Sequence, residues 1–174
     1  HVSDTFVEGK IWTGGFCSYL TEMAALKQWA EGTAAAEESI RMCETTELLD
    51  PEFLNPIYKF VQDNNIWGFD IVPHPQPIQV VRYREGDYYN KHTDWSLTNN
   101  NLRKISVSVQ LSDSEEYEGC DLLLYDGPYG PWSAHREAGS ITMFPSWTLH
   151  EVTKCTSGER WVAVAWFLGR EPYQ

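Results

Sequence analysis

The residues best suited to chemistry in this chain are His92 and Asp94, an imidazole and a carboxylate two positions apart in Tyr88-Tyr89-Asn90-Lys91-His92-Thr93-Asp94-Trp95. The segment reads as a strand. Positions i and i+2 of a strand face the same way, so both side chains would project together from one sheet edge and could share a metal ion. A His-x-Asp triplet arises often by chance, and a third ligand has to come from elsewhere. The other histidines are His1, His74, His135 and His150. His1 is terminal, His74 lies between Pro73 and Pro75, and His135 falls in a stretch rich in Gly, Pro and charge. His150 follows a predicted turn, Phe144-Pro145-Ser146-Trp147, and opens a strand, which makes it the best third ligand.

The elements that must position these groups change character along the chain. Leu20, Met23, Ala24, Leu26 and Ala30 recur at helical spacing, with Ser18 as N-cap and Gly32 as stop, which predicts an amphipathic helix over 16–31. Residues 33–49 read as a helical turn or surface loop. Asp50-Pro51 and Asn55-Pro56 both signal helix starts, and the second is expected to begin the main helix, ending near Asn64. Beyond Asn65 the period falls to two, predicting strands near 67–72, 78–84, 88–94, 103–111, 120–125, 140–144, 149–154 and 160–168. Eight short strands with no helical pattern between them predict an antiparallel sandwich or barrel, one outer face of which the two helices cover.

Two strands can be read face by face. Ile105, Val107, Val109 and Leu111 make one apolar face, opposite Ser106, Ser108 and Gln110. In the last strand Trp161, Ala163, Ala165 and Phe167 lie opposite Arg160, Val162, Val164 and Trp166. A lone cation on an apolar face is costly unless it meets an anion, so Arg160 is a candidate carboxylate clamp.

Composition bounds the rest. At 174 residues, 42% hydrophobic and with eight Trp, the chain can bury one core, and 1–174 is expected to be one domain with helical support over 1–66 and a β core over 67–170. Twenty-five acidic against 13 basic side chains give a net charge of −12, which argues against a nucleic-acid partner. The longest apolar run, Trp161 to Leu168, is far short of the roughly 20 residues that span a bilayer, so no membrane partner is expected. Cys17, Cys43, Cys120 and Cys155 are widely spaced and read as free thiols, which favours a cytoplasmic location. Because the chain opens on His1, a targeting segment would not be visible.

Two histidines and a carboxylate make the facial triad of non-haem Fe(II) oxygenases. The ordered motifs around them carry a more specific likeness. They are Arg82-Tyr83-x-x-Gly86-x-x-Tyr89-x-x-His92-x-Asp94, Leu111-Ser112-Asp113 through Tyr117-Glu118-Gly119-Cys120-Asp121-Leu122, Pro145-Ser146-x-x-Leu149-His150-x-Val152 and Thr156-x-Gly158-x-Arg160. Over residues 78–169 this order resembles the Fe(II)/2-oxoglutarate-dependent dioxygenases, within them the prolyl 4-hydroxylase-like branch and the bacterial PKHD-type hydroxylases.

The resemblance implies a mainly β double-stranded β-helix, or jelly roll, with supporting N-terminal helices. It implies that His92, Asp94 and His150 bind Fe(II) and that Arg160 pairs with the far carboxylate of 2-oxoglutarate. Tyr83, Gln110 and Trp166 match positions around the cosubstrate and iron, and Arg103 matches an arginine that faces the prime substrate. Further cofactors implied are O2 and, as a reductant, ascorbate. The charges of Fe(II), Asp94, Arg160 and 2-oxoglutarate cancel, a set that an apolar cavity tolerates. Relatives place a second Gly where this chain has Cys120, so a looser turn or a negative φ is expected there.

The implied reaction is hydroxylation of an unactivated C–H bond, first of peptidyl proline, with succinate and CO2 as coproducts. A free amino acid or other small metabolite is the second substrate class, and a non-catalytic metal-binding jelly roll is the alternative outside enzymology. The loops 95–102 and 126–138 flank the site, and Tyr129 and Trp132 in the latter offer flat surfaces for a peptide or prolyl ring.

Overall fold

A computed structural model describes residues 5–32, 41–73, 76–97 and 100–172. In chain order its elements are β1 (Val7–Lys10), α1 (Gly14–Ala25), β2 (Ala30–Glu31), β3 (Arg41–Met42), β4 (Glu44–Leu48), α2 (Pro51–Asn64), β5 (Ile78–Tyr83), β6 (Tyr88–His92) and β7 (Arg103–Gln110). They continue with β8 (Tyr117–Gly119), β9 (Leu122–Asp126), β10 (Tyr129–Ser133), β11 (Ser140–Pro145), β12 (Leu149–Val152), β13 (Cys155–Gly158) and β14 (Arg160–Leu168). A seven-stranded sheet runs β1-β11-β7-β14-β5-β4-β2, a five-stranded sheet runs β10-β9-β12-β6-β3, and β13 pairs with β8. The named pairs are antiparallel, and the two larger sheets face each other as a jelly roll.

The two faces of β7 and β14 divide the molecule as their alternation predicts. Ile105, Val107, Val109, Ala163, Ala165 and Phe167 are buried against Leu20 of α1 and Phe53, Ile57 and Val61 of α2. The opposite face looks between the sheets, where Tyr83, Leu122, Leu124, Phe144, Val152 and Val162 form a second apolar cluster. No helix among the described residues is long and apolar enough to cross a membrane. All four cysteines are free and buried.

Several boundaries differ from the sequence expectation, each for a tertiary reason. Helix α1 is capped by Thr13, whose Oγ1 accepts from the Phe16 N–H at 3.1 Å, while Ser18 lies within the helix and donates to the Gly14 carbonyl. The helix ends at Ala25 and not Glu31, because the Trp29 indole folds back to donate to the Ala24 carbonyl and packs on Trp161 at 5.0 Å. Helix α2 starts at the first proline signal and carries Pro56 inside it. Burial of Phe53, Leu54, Ile57 and Val61 along one face outweighs the single donor that Pro56 removes.

Residues 41–48, expected as turn or loop, form β3 and β4, so the stretch 1–66 supplies strands as well as helices. Residues 33–40 of that expectation lie outside the described residues, as do His1 and His74. The strand expected at 67–72 is reduced to one bridge, Ile71 to Gly169. The loop expected at 126–138 contains β10, which folds back on β9 as a hairpin. Cys120 has φ +56°, so the turn before β9 is left-handed despite the missing glycine, and its N–H donates to the Lys154 carbonyl at 3.1 Å. Glycine is required one residue earlier, where a Cβ on Gly119 would stand 2.3 Å from that same carbonyl oxygen.

Candidate active site

His92, Asp94 and His150 converge: their ligand atoms all lie within 4.8 Å of one another, the one such group of metal-binding side chains among the described residues. The convergence has a different origin from the pleat. Strand β6 stops at His92, and Asp94 lies just beyond it, where the Asp94 and Trp95 N–H groups both donate to the Ser146 carbonyl, at 2.9 and 3.0 Å. That anchor turns the Asp94 carboxylate back toward His92. His150 arrives from the neighbouring strand, directly opposite His92 in the β12–β6 register.

The two imidazoles are oriented alike. His92 Nδ1 lies 2.7 Å from the Asn90 carbonyl and His150 Nδ1 lies 2.8 Å from the Thr148 carbonyl. A carbonyl can only accept, so each Nδ1 carries the proton and each Nε2 keeps its lone pair for a metal. Those Nε2 atoms stand 3.4 and 3.5 Å from Asp94 Oδ1. Such separations suit adjacent positions around one ion whose bonds are about 2.1 Å long. The other carboxylate oxygen, Oδ2, accepts from Ser106 Oγ at 2.6 Å and from the Trp166 indole at 3.1 Å. Burial alone would raise the Asp94 carboxyl, yet His150 and His92 beside it hold it well below the usual carboxylate range.

A cavity of about 410 Å³ opens on these three residues, and Tyr83, Tyr89, Arg103, Val162, Val164, Trp166 and Arg160 also line it. On the cavity face of β14, Arg160 and Trp166 are six residues apart, about 20 Å of strand, so Arg160 marks the far end from the triad. It is 2% exposed. Its Nε and Nη2 donate to Gln110 Oε1 at 3.0 and 2.5 Å, while Nη1 is buried with no hydrogen-bond partner among the described residues. Gln110 is held in turn by donating to the Tyr117 hydroxyl at 2.7 Å. Tyr83 pairs with Arg160 across β5 and β14, and burial pushes its phenol well above its ordinary value, so it stays protonated.

These observations test whether the implied groups fit. A buried guanidinium N–H without an acceptor, at the end of an enclosed cavity, calls for an anion there, and the carboxylate of 2-oxoglutarate supplies one. Two imidazoles that turn their Nε2 atoms to one carboxylate are a donor set that suits Fe(II). The residues present fit both.

The sequence-derived site residues are gathered unevenly. His92, Asp94, His150, Arg160, Tyr83, Trp166 and Arg103 line the cavity. Gln110 lies behind Arg160 and does not line that cavity; it holds the guanidinium. Tyr129 and Trp132 are 70% and 45% exposed and lie outside the cavity. Trp132 does share a cross-strand row with it: His92 opposes His150, His150 opposes Leu124, and Leu124 opposes Trp132. That row sets Trp132 two strand spacings, about 10 Å, beyond His150.

Sequence reasoning missed Ser106, the donor to Asp94, and Tyr89, whose ring stacks on His92 at 3.6 Å. Ser106 was legible only as a polar member of an alternating strand. Arg41, on β3, also lines the cavity and had no signal in the sequence.

The model of the 2OG-Fe(II) oxygenase superfamily matches residues 78–168, more than half of the chain and the span that holds triad and arginine. The chain belongs to that superfamily. It is therefore a dioxygenase, and membership implies Fe(II), 2-oxoglutarate and O2 as its cofactors. A PKHD-type hydroxylase of Synechococcus sp. strain CC9605 is 29% identical over 162 residues, covering 84% of this chain and 73% of the relative. Other PKHD-type relatives are matched over only 40% of their length. Among solved structures, a Pseudomonas putida prolyl-4-hydroxylase superposes with TM-score 0.76 at 16% identity, over 95% of this chain and 93% of that one. A Trichoplax adhaerens prolyl hydroxylase, solved with a hypoxia inducible factor peptide fragment, gives 0.75 at 17%, over 96% and 84%. These structural likenesses establish the prolyl-hydroxylase-type jelly roll for the superfamily member described here.

Proposed function

We propose that this dioxygenase hydroxylates an unactivated C–H bond of a peptidyl prolyl residue, with 2-oxoglutarate converted to succinate and CO2. The observation that carries the reading is the partnerless Nη1 of Arg160, buried at one end of a cavity whose other end holds His92, Asp94 and His150.

Fe(II), when bound, would supply the activation of O2 and the oxidative decarboxylation of the cosubstrate. The protein's own part is positioning. His92 Nε2, His150 Nε2 and Asp94 Oδ1 would hold the ion, and the Ser106 and Trp166 donors fix the carboxylate so that Oδ1 is the oxygen presented. Arg160 would take the far carboxylate of 2-oxoglutarate, steadied by Gln110 and flanked by the neutral Tyr83 phenol. The apolar wall of Val162, Val164, Val152 and Leu122 keeps water from the space between. No side chain need take a proton from the C–H bond.

The prolyl substrate is supported by the solved neighbours, which are prolyl hydroxylases, one of them holding a peptide. Arg103 stands beside the triad with its guanidinium 3.9 Å over the Trp166 ring, a position suited to meeting a substrate backbone.

The test is succinate release from 2-oxoglutarate with Fe(II) and O2, run with proline-rich peptides and with free amino acids, the products weighed by mass spectrometry. The expected result is one added oxygen on proline-containing peptides, abolished in His150→Ala and Arg160→Ala. Oxygen added only to free amino acids overturns the peptidyl substrate; no turnover together with no iron affinity overturns the whole reading.

A further inference from the structure

The arginines of this chain divide in two. Arg82 and Arg84 share Glu44, Arg136 meets Asp121, and Arg170 meets Asp70. Arg41, Arg103 and Arg160 meet no carboxylate side chain among the described residues, and all three line the same cavity. In a protein of net charge −12, three guanidiniums that form no ion pair and outnumber the two carboxylates lining the same cavity, Asp94 and Glu47, are a local inversion of charge. The proposed function accounts for Arg160 through the far carboxylate of 2-oxoglutarate. Arg41 and Arg103 are left over.

These two approach the triad from opposite sheets. Arg103, on β7, lies over Trp166, the ring that donates to Asp94, and its Nη1 reaches only the Asp94 backbone carbonyl at 3.5 Å. Arg41, on β3, lies 5.4 Å from the centroid of Tyr89, the ring stacked on His92, and its Nε is buried with no partner among the described residues. Stacking fixes the plane of a guanidinium and leaves its edge N–H groups directed elsewhere. Glu47, the other carboxylate lining the cavity, is exposed and forms no ion pair with either. Arg41 and Arg103 are half-buried and form no ion pair, and the nearby Asp94 carboxylate is committed to the triad, so an anion brought by a ligand would find unused guanidinium N–H groups here.

We propose that Arg41 and Arg103 form a second anion site beside the triad, a two-sided clamp for a carboxylate carried by the prime substrate. The inference rests on the proposed function in so far as the prime substrate enters this cavity, and it adds a chemical class. The hydroxylated residue is flanked by a carboxylate, either an acidic side chain next to it in a peptide or the free carboxylate of a chain end or amino acid. Arg160 and the clamp would thus sort two acids in one cavity, the cosubstrate to the enclosed end and the substrate to the rim.

The test uses matched probes that differ only in charge: capped peptides Ala-Pro-Glu against Ala-Pro-Gln, the same pair with Leu for Pro, and free L-proline against L-prolinamide. Binding is read by titration calorimetry with Zn(II) in place of Fe(II) and 2-oxoglutarate present, so turnover is not needed. In the wild type the acidic member of a pair should bind about tenfold tighter than the neutral one. Arg41→Gln and Arg103→Gln should each bring that ratio down to about twofold or less, and Arg41→Lys should keep part of it. Arg41→Glu should reverse it, so that Ala-Pro-Lys outbinds Ala-Pro-Glu. Because the Arg41 side chain makes no hydrogen bond to a described residue, its variants should fold, which thermal unfolding checks. A preference confined to the leucyl pair or to free proline supports the clamp while overturning the prolyl peptide. Equal binding within every pair, a preference that survives in both Gln variants, or no binding by any probe overturns the clamp.

Discussion

The two ends of the cavity are built differently. At the enclosed end Arg160, Gln110, Tyr83 and Tyr117 are each at most 5% exposed; hydrogen bonds join Arg160 to Gln110 and Gln110 to Tyr117, the Tyr83 ring lies against the guanidinium, and Arg160 Nη1 is left without a partner among the described residues. At the rim Arg41 and Arg103 are half-buried and carry stacking contacts in place of salt bridges. The enclosed end is preorganised for one small acid, because its donors are already fixed and desolvated. The rim gives charge without a fixed network, which suits ligands that vary in shape.

Predictions that break or sharpen this contrast can be ranked by size. The largest effect belongs to the groups between the ends: His150→Ala should abolish turnover and leave the protein without iron, measured as bound metal after Fe(II) loading and desalting. Next is Arg160→Leu, which removes both the anion partner and the donor to Gln110; KM for 2-oxoglutarate should rise roughly ten- to hundredfold. Arg160→Lys keeps the charge but not the fork, and should fall between.

Ser106→Ala takes one of two donors from Asp94 Oδ2 and should lower iron affinity about tenfold, with the fold kept by the Trp166 bond. An unchanged affinity would show that the indole alone orients the carboxylate.

The smallest effect concerns the thiols. Burial pushes Cys17 and Cys43 up to about 11 and Cys120, next to Arg160, up to about 12. Their folded values exceed the ordinary 9.0, so the stabilisation from keeping them neutral is complete below pH 9 and is lost as pH rises toward 11 and 12. Melting temperature should therefore decline over that window, and a thiol reagent at neutral pH should label these cysteines only on unfolding.

Much of the site could be read in the chain because its chemistry is local. His92 and Asp94 are neighbours, Arg160 follows His150 by ten residues on a strand with clean alternation, and the apolar faces of β7 and β14 have the period of a half-buried strand. The end of α1 was not legible, since an indole four residues beyond the last turn decides it. Strands β2 and β3 have two residues each, too few to show a period. Cys120 follows the left-handed path that a glycine would take because the Lys154 carbonyl, from a distant turn, holds its N–H.

The sequence by itself determined which groups can do chemistry: two imidazoles, a carboxylate and an arginine, in an order that places them on strands. Tertiary structure decided what completes them. Ser106 meets Asp94, Gln110 meets Arg160 and Arg41 reaches the cavity because strands far apart in the chain are paired or packed face to face. A residue's type fixes what it can donate or accept, but only the pairing of sheets fixes which atom stands opposite it.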